Sequence, residues 1–175
     1  MKQAVKVAIV FIVLFLLVFL VSAIIIKANN KRLITEKIKM LPDFTFRTLK
    51  DSLFNSSDIT NGPVLIVRFH PECEHCQFEM PQILNSKIPS SVNLIIMISS
   101  ANADSLRKFF IQLNIDRYPQ VIPLIDTTYQ FGDIFGSDIS PSIFIYDKEL
   151  KLIKVFYGEV KTEAILNILN QNGSY

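Results

Sequence analysis

The hydrophobic positions fall into three patterns. From Val7 to Ile26 the chain reads VAIVFIVLFLLVFLVSAIII, uncharged throughout, with Ser22 its one polar residue. No helical face of that run is polar, so it is not the half-buried helix of a globular core. At about 1.5 Å per residue it spans the roughly 30 Å hydrocarbon layer of a bilayer. Short apolar runs bounded by turn residues come next. Val64–Phe69 and Val92–Ile98 predict buried strands, Val121–Ile125 a shorter one, and Ile143–Tyr146 with Leu152–Tyr157 a hairpin around Asp147-Lys148-Glu149-Leu150. Helical spacing is the third pattern. Leu106, Phe109, Phe110 and Leu113 share one face behind a cap at Asn102 or Asp104. Residues 71–85 have helical length, with Pro81 inside predicting a kink, and Thr162–Leu169 closes the chain as an amphipathic helix.

The order strand, helix, strand, helix, two antiparallel strands, helix predicts an α/β domain with a mixed sheet. Leu41-Pro42-Asp43-Phe44 is an extended entry, and Asn55-Ser56-Ser57-Asp58 and Asn61-Gly62-Pro63 are turn chemistry. The organisation that follows is a tail at 1–6, a membrane anchor at 7–26, a polar stretch at 27–40 serving as tether or short helix, and one domain at 41–172.

Charge sharpens this division. Lys2, Lys6, Lys27, Lys31, Arg32, Lys37 and Lys39 stand against Glu36 alone in the first 39 residues, and the remainder is mildly acidic. A nucleic-acid binder needs a basic domain, so no nucleic acid is expected as a partner. The basic cluster lies where lipid headgroups would meet it. Val21-Ser22-Ala23 could be read as a signal-peptide cleavage site, but the apolar run continues through Ile26 and exceeds the usual length of such a region, which favours an uncleaved anchor. The positive-inside comparison of Lys2 and Lys6 with Lys27, Lys31 and Arg32 opposes export of the domain and leaves the orientation ambiguous.

The chain holds two cysteines, Cys73 and Cys76, in one C-x-x-C. That count cannot build a disulfide scaffold, so the choice lies between redox work, part of a metal site, and incidental thiols. Cys73 follows a predicted buried strand and opens a predicted helix, where free N–H groups and the helix dipole favour its thiolate. Cys76 lies one turn on, within reach for a disulfide. The first thiol would attack a substrate disulfide and the second would resolve the mixed disulfide. Zinc is the chemical rival, but His70 and His75 are the only histidines and a structural site needs four well-separated ligands. No metal and no cofactor is expected.

Phe69-His70-Pro71-Glu72-Cys73-Glu74-His75-Cys76-Gln77-Phe78-Glu79-Met80-Pro81 resembles the active-site segment of thioredoxin-like proteins, specifically the membrane-anchored extracytoplasmic oxidoreductases of the TlpA/ResA type. The pattern C-E-x-C-x-x-E-x-P carries the likeness, and Ile139-Ser140-Pro141-Ser142-Ile143-Phe144-Ile145-Tyr146-Asp147 resembles the segment holding that family's cis-proline. The resemblance implies a thioredoxin-like fold and a thiol–disulfide oxidoreductase. It implies Cys73 as nucleophile, Cys76 as resolving thiol and Glu79 as a carboxyl that moves protons or tunes the pair. Pro141 would be a cis-proline opposite the cysteines, offering neighbouring backbone to an extended substrate, with Glu74 and His75 tuning the redox potential in opposite directions. It further implies a single-pass protein of the bacterial cytoplasmic membrane whose domain faces outward. There it would reduce disulfides of exported proteins and be recharged by a transmembrane electron donor of the DsbD/CcdA type. A disulfide-forming oxidase and a non-catalytic binding module are the alternatives. Three departures from the family stand out. Glu72 occupies the place of a usual Trp, His75 precedes Cys76, and the strand before the motif lacks the buried acid of cytoplasmic thioredoxins, carrying only Arg68.

Overall fold

A computed structural model of the chain describes residues 2–60, 62–89, 92 and 94–172; Asn61 of the predicted turn and Asn93 of the predicted second strand lie outside them, as does Met1 of the tail. The chain divides into two compact units, Met1–Glu36 and Lys37–Tyr175. The first is made of helix α1 (Lys2–Lys37), which runs unbroken through the polar stretch because nothing between Ala28 and Lys37 is Gly or Pro. Its segment Phe11–Lys37 is long and apolar enough to cross a membrane.

The second unit begins earlier than residue 41. Ile38 is buried, Tyr146 Oη donates to its carbonyl at 3.3 Å, and Met40 bridges to Lys151. Seven strands form one sheet in the order β2-β1-β5-β4-β3-β6-β7. The strands are β1 (Thr45–Thr48), β2 (Leu53–Asn55), β3 (Val64–Arg68), β4 (Leu94–Ser99), β5 (Val121–Ile125), β6 (Ser142–Tyr146) and β7 (Leu152–Tyr157). β3, β4 and β5 are parallel, and the other pairings are antiparallel. The sheet is therefore mixed, as the element order predicts, with an N-terminal hairpin β1–β2 that the apolar pattern does not announce.

Helices α2 (Glu74–Asn85), α3 (Ala103–Gln112) and α5 (Thr162–Asn172) pack on one face through Met80, Ile83, Leu106, Phe109, Ile165 and Leu169. Asn102 is the cap of α3, accepting from Ser105 N at 2.9 Å. The opposite face carries the short helix α4 (Phe131–Phe135), which also lacks a periodic signal. Its Phe131 and Phe135 rings stack 4.5 Å apart and meet Phe144 of β6. Alternation along β3 sends Leu65 and Val67 to the first face, and Val64, Ile66 and Arg68 to the second. Cys73, Ser100 and Asp126 follow the C-terminal ends of the parallel strands β3, β4 and β5.

Candidate active site

Cys73 occupies the N-cap position of α2, directly after the turn that leaves β3. Its N–H donates to the His70 carbonyl at 3.1 Å, and its own carbonyl accepts from Gln77 N at 2.9 Å, so the backbone of the motif closes on itself. The Gln77 side chain secures the turn by donating to the Pro71 carbonyl at 2.7 Å. The Cys73 thiol is half-buried and points at the Ser140 carbonyl, 3.7 Å away. The following Ser140–Pro141 bond is cis. The Pro141 carbonyl accepts from Gly158 N at 2.9 Å, and Gly158 takes a φ of +79° that favours glycine. Residues 140–141 are thereby held beside Cys73 between β6 and the end of β7.

Cys76 is wholly buried and its thiol is free, like that of Cys73. Burial pushes the Cys76 thiol up to about 12, and the nearby Cys73 and Glu79 act in the same direction, against a backbone hydrogen bond at His70. The two thiols of the motif are thus unequal. One meets solvent at a helix start, and the other sits in the core as a neutral thiol.

Glu79 lies one turn beyond Cys76 on the same face of α2 and is 2% exposed. Its Oε1 accepts from Val160 N at 2.9 Å, and its Oε2 has no hydrogen-bond partner among the described residues. Burial raises this carboxyl from the ordinary 4.5 to about 7, helped by Glu159 and opposed by the Val160 hydrogen bond and His75. A carboxyl that titrates near neutrality beside a buried thiol can accept or return that thiol's proton.

Glu74 stands exposed in the first turn of α2. His75 is also exposed and turns towards the β7–α5 loop, where its Nδ1 lies 2.7 Å from Glu159 Oε2. The imidazole thus pairs with a carboxylate, and it acts to lower Glu79 from a distance. Phe78 and Ile139 are large exposed apolar side chains, one two residues past Cys76 on α2 and the other two residues ahead of Pro141. Among the described residues, no group of three or more His, Cys, Asp or Glu side chains is placed to hold a metal.

Sequence reading passes over a second polar group at this end of the sheet. Arg68, at the end of β3, lies buried on the α4 face. Its Nη2 donates to Ser100 Oγ at 2.8 Å and lies 3.7 Å from Asp138 Oδ1, and its guanidinium carbon stands 5.0 Å from the centre of the Phe131 ring. Asp126 is also buried, and its carboxylate accepts from Gln130 N and Phe131 N, both at 2.9 Å, so it starts α4. The lone arginine in an otherwise apolar strand is the available signal, but its partners come from distant loops.

No protein-family model matches the chain, and neither does any curated protein sequence. Solved structures do match. A secreted Mycobacterium tuberculosis disulfide oxidoreductase homologous to E. coli DsbE is 14% identical, with a TM-score of 0.64 over 78% of this chain and 98% of its own. A thiol-disulfide isomerase from Corynebacterium glutamicum is 16% identical, with a TM-score of 0.65 over 80% and 99%. The thio-disulfide isomerase of Thermus thermophilus is 25% identical, with a TM-score of 0.60 over 78% and 96%. The fold is thioredoxin-like, and its structural neighbours are thiol–disulfide oxidoreductases.

Proposed function

We propose that this thioredoxin-fold chain is a membrane-anchored, extracytoplasmic thiol–disulfide oxidoreductase that reduces disulfides of exported proteins through Cys73 and Cys76. The inequality of the two thiols is the observation that carries the reading. Cys73 is reachable at the start of α2 with the Ser140 carbonyl against it, whereas Cys76 is buried beside Glu79.

Division of labour follows. The Cys73 thiolate attacks one sulfur of a substrate disulfide. A Cys73–substrate disulfide forms, and the displaced substrate thiolate takes up a proton. Glu79, in its ionised form, then accepts the Cys76 proton. The Cys76 thiolate attacks Cys73 Sγ, forming the Cys73–Cys76 disulfide and expelling the second substrate thiolate. Two electrons have passed to the substrate. A membrane dithiol donor of the DsbD/CcdA type returns the pair to the reduced state. The backbone at Ser140–Pro141, rimmed by Phe78 and Ile139, offers an edge for an extended substrate segment. Glu74 adds negative charge at the mouth of the site, and His75 offsets it through Glu159.

The outward placement draws on the apolar helix α1, on a chain with no thiol beyond its working pair, and on the description of the Mycobacterium neighbour as secreted. Equilibration of the full-length protein with glutathione tests direction. The expected potential lies nearer the roughly −270 mV of thioredoxin than the −120 mV of a strong oxidant, and a value above about −170 mV would assign it instead to disulfide formation. A membrane-impermeant thiol reagent applied to intact cells tests location. Cys73 reacts from outside if the reading holds, and protection until lysis overturns the placement together with its electron donor.

A further inference from the structure

Arg68 is a poor choice for stability. Its side chain is 8% exposed, and Nε and Nη1 have no hydrogen-bond partner among the described residues. Nη1 approaches Asp126 Oδ2 no closer than 4.0 Å. Burying a guanidinium with idle donors costs more than packing an apolar side chain in the same place, and the Phe131 ring beside it would accept one. Desolvation accordingly weakens its hold on the proton, although Asp138, Asp126 and Cys76 act to restore it.

What Arg68 touches accounts for its presence. Its backbone pairs with Ser142, the residue directly after Pro141. Its side chain reaches back to Asp138, at the other end of the same turn. One residue therefore grips both ends of the 138–142 turn, whose middle presents the Ser140 carbonyl to Cys73 Sγ. The Ser142 hydroxyl closes the turn further by donating to the Ile139 carbonyl at 2.6 Å. Ser100, between Arg68 and Asp126, anchors the guanidinium to the end of β4 at 2.8 Å.

We propose that Arg68 is a positioning residue of the dithiol site: by clamping the 138–142 turn from both sides, it fixes where the Ser140 backbone stands opposite Cys73 and so sets how well an extended peptide disulfide is seated there. The inference rests on the oxidoreductase reading and adds to it a residue that acts on substrate seating rather than on sulfur. A short disulfide such as that of a tripeptide runs along that edge over no more than a residue or so and depends on it less, whereas a protein disulfide depends on it strongly.

Kinetics of the full-length protein in detergent test this, with insulin as the peptide disulfide and oxidised glutathione as the small one. Asp138→Ala removes the far end of the clamp at a residue 64% exposed, so it leaves the core intact. It is expected to raise KM for insulin about fivefold with kcat within about twofold, and to lower the insulin-to-glutathione ratio of kcat/KM accordingly. Arg68→Met should lower that ratio about tenfold, and Arg68→Lys, which restores charge without the fork, should recover part of it. If Asp138→Ala keeps the wild-type ratio, or if all three variants lose both activities in proportion to a lowered melting temperature, Arg68 is structural and the proposal falls. A wild-type protein inactive on both disulfides overturns the oxidoreductase reading itself.

Discussion

Two polar groups are buried at the same end of the sheet, on opposite faces, and they bear their charge differently. On the α2 face, Glu79 has one oxygen bonded to Val160 N and one without a partner, and burial raises it to about 7. On the α4 face, Arg68 also has idle donors but stands among Ser100, Asp126 and Asp138. A carboxyl can shed its charge by taking a proton, whereas a guanidinium cannot within any physiological range. The first face therefore tolerates an incomplete set of partners by changing protonation state, which is what a proton acceptor needs. The second must supply countercharge permanently, which is what a brace needs.

Removing sulfur from the α2 face should have the largest effect. Cys73→Ser and Cys76→Ser each lower disulfide turnover by about a thousandfold or more. Cys76→Ser accumulates mixed disulfides with substrate, visible on non-reducing gels, while Cys73→Ser traps few. Equal trapping by both would erase the inequality between the thiols. On the α4 face, Asp126→Ala strips two α4 N–H groups of their acceptor and Arg68 of its buried carboxylate. Urea denaturation should show a loss of about 3–5 kcal/mol. A loss below about 1 kcal/mol would mean that the guanidinium is not held as described.

Glu79→Gln sharpens the contrast without unfolding either side. The native protein holds the Glu79 proton up to about 7, whereas the unfolded chain releases it near 4.5. Folding thus takes up a proton between those values, and stability falls as pH rises through that window. The amide, which does not titrate, should flatten the fall. It should also remove an inflection near 7 from the rate at which Cys76 resolves mixed disulfides, slowing that step about tenfold above it. The smallest effect belongs to His75→Ala. Its exposed pair with Glu159 contributes less than about 1 kcal/mol, so stability barely moves. Because His75 lowers Glu79, the inflection should shift upward.

Legibility in the sequence follows the same division. Strands β3 to β7 and helices α3 and α5 are written as apolar runs or helical stripes, because β3, β4 and β6 are buried almost throughout and the others pack an apolar side, half-buried in β7, against the core. The hairpin β1–β2 is not, since its strands are four and three residues long and its turn uses Asp51 at φ 65° instead of a glycine. Helix α4 is five residues long, too short for periodicity, and owes its start to Asp126, which reads in sequence as an ordinary loop acid. Cys76 and Glu79 lie on the helix that Cys73 caps, so spacing alone places the three together. Arg68, Ser100, Asp126 and Asp138 meet only because the sheet brings the end of β3 and three separate loops together, and no local pattern records that meeting. His75 shows the limit of motif reasoning, since its neighbour in sequence is Cys76 but its hydrogen-bond partner is Glu159.

Strand β3 is bonded on both edges by strands that come after it in the chain, β4 and then β6. A ribosome delivers the polypeptide from its N-terminus, so Cys73 and Cys76 emerge well before β6 exists to flank the strand that carries them. During that interval neither sulfur has the Ser140 carbonyl or the Glu79–Val160 contact beside it. The difference in surroundings between Cys73 and Cys76 is thus completed late in biosynthesis, when the last third of the chain closes over the first part of the domain.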